Sequence, residues 1–68
     1  MTNKINNTIK ENRERASISQ QGLARELGLK SNNRISRWEN GLAHPGTVNL
    51  IKIAKKLNVK PEDLYPDY

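Results

Sequence analysis

The sequence predicts an all-α domain, a compact set of five short helices around one core. Three observations predict it. Leu50, Ile53, Ala54 and Leu57 recur at i, i+3, i+4 and i+7, the spacing of one buried helical stripe. Gly28 and Gly41 each close a short periodic stretch, where a left-handed residue stops a helix. No run alternates apolar and polar residues as a half-buried strand would.

The first helix is expected from about Lys4 to Arg15, with Ile5, Ile9 and Ala16 on one face. Asn12 falls where a large apolar residue belongs. Ser17-Ile18-Ser19 breaks the pattern, and Ser19 is a good N-cap for the second helix. Leu23, Ala24 and Leu27 form that helix's stripe, and Gly28 supplies its stop. Gly22 lies inside it, at a cost of about 1 kcal/mol relative to Ala. Lys30-Ser31-Asn32-Asn33 is turn chemistry, and Ser31 is expected to cap the third helix. Ile35 and Trp38 face inward from it, and Asn40-Gly41 ends it. A hairpin at Asn40-Gly41 would need flanking strands, which the sequence lacks. Leu42 to Gly46 is a loop. Thr47 is expected to cap the fourth helix and Asn58 to end it. Pro61 suits the first position of a last short helix reaching about Tyr65.

A chain of 68 residues makes one domain, expected over residues 1–68, with a modest core. It contains no cysteine, so it has neither a disulfide framework nor a thiolate metal site. Its apolar stretches are too short to cross a bilayer, and Met1 to Asn7 lacks the apolar core of a signal peptide. A cytoplasmic protein is expected. The net charge is +5. Arg25, Lys30, Arg34 and Arg37 lie in or beside the second and third helices, and Glu62, Asp63 and Asp67 make the end acidic. A small basic domain is attracted to polyanions, nucleic acid above all. Lys52, Lys55 and Lys56 read as a solvated helix face. His44 is a lone loop histidine, short of a zinc site or a catalytic dyad. No enzymatic motif, cofactor, metal, small-molecule ligand or membrane contact is indicated.

Several motifs then occur in one order. They are Ser19-Gln20-x-x-Leu23-Ala24-x-x-Leu27-Gly28-Leu29, then Ile35-Ser36-Arg37-Trp38-Glu39-x-Gly41, then Pro45. Leu50-x-x-Ile53-Ala54-x-x-Leu57-x-Val59 and Asp63-Leu64 follow. Together they resemble the lambdoid phage repressor and Cro family of helix-turn-helix proteins, over roughly Ile9 to Tyr65. The resemblance implies a lambda-repressor-like fold whose second and third helices form the helix-turn-helix. It implies that the third helix lies in the major groove of DNA. Lys30 to Arg34 is one residue longer than the family's usual turn, and either lengthens the turn or extends the start of the third helix. The Leu42–Gly46 loop carries no Lys or Arg, which weakens a phosphate clamp that relatives place there.

By the same resemblance Asn32, Asn33 and Arg37 read bases, with Arg34 on the flank of the same helix. Asn can pair with adenine N6 and N7, and Arg with guanine O6 and N7. The rival reading keeps Asn32 and Asn33 as turn residues and Arg37 as a solvated cation. Gln20, Ser31, Ser36 and Asn40 are the expected phosphate contacts. Arg13 and Glu39 match an internal salt bridge. Leu64, Tyr65 and Tyr68 stand where relatives form dimers; the rival role for them is capping the core. The function implied is a sequence-specific double-stranded DNA-binding transcriptional regulator that occupies an operator as a homodimer. It is either a stand-alone Cro-like protein or the DNA-binding domain of a longer repressor. The alternative is an antitoxin-like or other protein-interaction module on the same fold.

Overall fold

Five side chains, one from each helix, are fully buried: Ile9, Leu23, Ile35, Ile53 and Leu64. Helices this short do not hold alone in water, so packing of these side chains is what keeps them folded. The computed structural model describes residues 4–68 of the chain. Residues 1–3, the head of the segment examined for a signal peptide, lie outside the described residues. The order is α1 (Ile9–Arg15), α2 (Gln20–Glu26), α3 (Asn33–Glu39), α4 (Thr47–Leu57) and α5 (Pro61–Leu64), with no strand among the described residues. Ala24, Leu27, Trp38, Ala54 and Leu57 complete the core. The small Ala24 side chain is almost fully buried in it.

Most stops and starts follow from local chemistry. Ser19 Oγ accepts from the Gly22 N–H at 2.9 Å and caps α2. Gly28 and Gly41 both adopt φ +76°, a conformation L side chains resist, and so turn the chain out of α2 and α3. Asn58 takes the left-handed conformation at the end of α4, φ 59°. Pro61 opens α5, where its missing N–H costs nothing.

Four expectations are corrected. The first helix begins at Ile9, not Lys4, and residues 4–8 are non-helical. Long-range bonds hold them there: Thr8 N–H donates to Leu64 O at 2.9 Å, and Ile5 N–H to Gly41 O at 2.9 Å. Ala16 is exposed, because the chain has already left α1. Ser31 does not cap α3. Asn32 occupies the N-cap without a side-chain bond, while Ser31 Oγ reaches only the Asn33 N–H, at 3.4 Å. Thr47 is the first helical residue of α4, and Gly46 holds the N-cap. Asn12 also has a reason to be polar. Its amide donates to Thr8 O and Thr8 Oγ1, both at 2.9 Å, and ties α1 to the segment before it.

Candidate nucleic-acid interface

Ile35 and Trp38 are buried and fasten α3 to the core. The other face of the same helix carries Asn33, Arg34 and Arg37, all exposed. Asn33 and Arg37 are four apart and stand one turn above each other on that face. Arg34 and Arg37 are three apart and line one cleft of about 300 Å3, together with Ala43, His44, Gly46 and Asn49. A second hollow of about 300 Å3 lies on the other side of Arg34, against Gly28, Lys30 and Ser31. The outer face of α3 is thus a polar, cationic ridge between two depressions. Of the five residues between Leu29 and Ile35, Lys30, Ser31 and Asn32 form the turn and Asn33 and Arg34 are helical.

Beneath the ridge runs a chain of polar bonds. Asn32 Nδ2 donates to Gln20 Oε1 at 3.3 Å, and Gln20 Nε2 donates to Glu39 Oε1 at 2.9 Å. Arg13 Nε meets Glu39 Oε2 at 2.6 Å, with side chains only 9% and 3% exposed. Arg13 Nη1 also donates to Ile18 O at 2.8 Å. These bonds answer the charge of a buried arginine and carboxylate, as burial requires. They also join α1, the start of α2 and both ends of α3. Gln20 retains one N–H, and Asn32 one N–H and its carbonyl oxygen.

Ser36 is half-buried, and its Oγ accepts from the exposed Asn40 amide at 3.3 Å. Ser31 is exposed at the mouth of the second hollow. Leu64 is wholly inside the core, so the structure removes it from any subunit contact. Tyr65 and Tyr68 meet edge to face, ring centres 6.3 Å apart, and Tyr68 is largely exposed. Both border an apolar groove of about 500 Å3 with Pro45 and Leu50. The Tyr65 hydroxyl is buried without a partner among the described residues. Burial pushes its pKa up, and the neighbouring Tyr68 adds to the shift.

Sequence reasoning missed Asn49 and set His44 aside. Both line the cleft beside the α3 arginines. A polar side chain between Val48 and Leu50 in the first turn of α4 was the available signal for Asn49. For His44 none existed, because only the fold brings its loop against α3.

A family model described as helix-turn-helix matches residues 9–64. The chain belongs to this helix-turn-helix family. Among solved structures, a candidate DNA-binding protein from Bacteroides fragilis is 36% identical, with TM-score 0.77 over 85% of this chain and 92% of that one. The P22 c2 repressor, in complex with a synthetic operator, is 33% identical, with TM-score 0.73 over 79% and 80%. The restriction-modification controller protein C.AhdI from Aeromonas hydrophila is 30% identical, with TM-score 0.72 over 84% and 85%. No match was found among the curated proteins. The helix-turn-helix of this chain is α2, the turn from Leu27 to Asn32, and α3. Among the described residues no helix is long and apolar enough to cross a membrane.

Proposed function

We infer that the chain is a sequence-specific double-stranded DNA-binding transcriptional regulator that binds an operator as a homodimer. The observation that carries this reading is the exposed ridge of Asn33, Arg34 and Arg37 on a helix pinned from behind by Ile35 and Trp38. Family membership and the operator-bound P22 c2 repressor support it. In this reading α3 enters the major groove. Asn32, Asn33, Arg34 and Arg37 meet base edges with amide and guanidinium groups, which match adenine and guanine bidentately. Asn32 does so with the donor and acceptor that Gln20 leaves free.

Gln20, Ser31, Ser36 and Asn40 contact phosphates around the groove, and these contacts set the position of α3 without reading sequence. His44 and Asn49, across the cleft from the arginines, extend that phosphate track where the loop lacks Lys and Arg. Arg13 and Glu39 stay internal. Tyr65 and Tyr68, beside the apolar groove, meet the second subunit, which places two α3 helices one helical turn of DNA apart. Residues 1–68 act as one cytoplasmic domain in this reading.

Selection from a randomised duplex library tests it. A palindromic site should be enriched, with half-sites about 10 base pairs apart centre to centre. Affinity for that site should fall linearly in a log–log salt plot, at a slope of about −0.9 per phosphate neutralised. A pool that stays random, or a flat salt response, would remove duplex DNA as the ligand.

A further inference from the structure

Residues 4–8 lie across the C-terminal ends of two helices at once. Ile5 N–H donates to Gly41 O at 2.9 Å, and Asn7 Nδ2 donates to Trp38 O, also at 2.9 Å. Trp38 is in the last turn of α3, and Gly41 directly follows its C-cap, Asn40. Thr8 N–H donates to Leu64 O at 2.9 Å and Thr8 Oγ1 to Asp63 O at 2.7 Å, at the end of α5. The contact with α3 is close. A Cβ on Gly41 would stand 2.7 Å from Ile5 O and 2.9 Å from Ile5 N. The last carbonyls of a helix have no partner within it, and Trp38 O accepts from the Gly41 N–H at 3.1 Å as well as from Asn7, so the strap adds a second donor to the local one.

We propose that residues 4–8 are a strap that sets the pose of the reading helix relative to α5, with Asn7 as its positioning residue. The proposal rests on the reading of α3 as the base-contacting helix. That helix has only seven residues and no side-chain cap at its start, so bonds at its ends add to the hold that Ile35 and Trp38 have on it. Gln20 braces the first end through Asn32, and the strap braces the second. Base contacts need close placement of side chains, whereas phosphate contacts tolerate small rotations and carry no sequence information. A loosened strap therefore lowers discrimination between sequences more than it lowers affinity for DNA in general.

Asn7→Asp removes the amide donor. Asn7 Oδ1 accepts from the Ile9 N–H at 3.1 Å, and a carboxylate keeps that contact while losing the donor to Trp38 O and, within the strap, the donor to Ile5 O at 3.1 Å. The measurement is the ratio of affinities for the selected duplex and a scrambled duplex of equal length at one salt concentration. The bond to Trp38 O is the one that reaches α3, and one hydrogen bond is worth about a fivefold change in equilibrium, so the ratio should fall about fivefold. A role in stability alone lowers the folded fraction, and the added charge repels DNA, but both weaken the two duplexes alike and leave the ratio at its wild-type value. That result overturns the strap. Thr8→Val removes the hydroxyl bond to Asp63 O at the α5 anchor with little change of shape; it also removes an acceptor of the Asn12 amide, which keeps its bond to Thr8 O. It should lower the same ratio by a smaller factor, and it serves if Asn7→Asp does not fold. Failure of the wild-type chain to select any duplex would overturn the base-reading role of α3 itself, a result distinct from an unchanged ratio.

Discussion

Two ion pairs in this molecule have nearly the same length and opposite significance. Arg13 and Glu39 are 2.6 Å apart with side chains 9% and 3% exposed. Lys56 and Glu26 are 2.8 Å apart with side chains 49% and 51% exposed. The inner pair closes a chain of bonds under α3, and losing one partner strands a charge in the core. The outer pair joins α4 to α2 through water-exposed groups that water can satisfy equally well. Distance alone does not separate them; the surroundings of the charges do.

The sharpest way to break the comparison is Glu39→Ala. It leaves Arg13 buried and unpaired, and breaking a buried pair costs about 3–5 kcal/mol. For a domain of this size, thermal unfolding should fall by more than about 12 °C, at about 4–8 °C per kcal/mol. A shift of only a degree or two would mean that Arg13 finds water.

Arg37→Ala comes next and touches neither pair. It should leave the melting temperature near wild type and cost about 1–3 kcal/mol on the selected site, with relaxed preference at one base position. Binding and base preference both unchanged would take Arg37 off the reading surface.

Tyr65→Phe separates burial from pairing, because its hydroxyl is buried with no partner among the described residues. Its removal should be neutral or stabilising by up to about 1 kcal/mol. The raised pKa adds a pH test. The folded state keeps the phenol proton to higher pH than the unfolded chain. Its contribution to stability is therefore complete below pH 10.0 and falls as pH rises towards the raised folded value. Alkaline unfolding curves should show this decline for wild type and lose it in Tyr65→Phe.

The smallest effect is expected at Lys56→Ala, with no resolvable change in melting temperature at physiological salt. The hydrogen bond and charge of Lys56 hold the Glu26 carboxyl below its ordinary value. Whatever the pair contributes is present above pH 4.5 and lost as pH falls through the lower folded value, chiefly in low salt.

What the sequence revealed, and what it hid, divides by range. The α4 stripe, the Ser19 cap, the Asn58 stop and the Pro61 start are set by neighbours a turn away, and periodicity and capping rules see them. The start of α1 is set by Leu64 and Gly41, far along the chain, and no local pattern encodes that. Helix caps slipped by one residue at Asn32 and Gly46, because Ser31 and Thr47 are good caps that the turn geometry places out of position. On the candidate interface, the inward Ile35 and Trp38 made the outward face of α3 legible. The cleft partners His44 and Asn49 arrive from a loop and another helix, so spacing within α3 says nothing of them. The resemblance groups Leu64 with Tyr65 and Tyr68 at the subunit contact, and only packing decides that Leu64 enters the core instead.

The outward side chains of α3 differ in how free they are to change. Asn33, Arg34 and Arg37 make no side-chain hydrogen bond within the protein among the described residues, whereas Asn32 leans on Gln20. Under the proposed reading, these three positions can be rewritten with the scaffold undisturbed, and a lineage can drift to new operators by point mutation there. A change at Asn32 would have to carry a compensating change at Gln20, and the two positions should travel together through evolution.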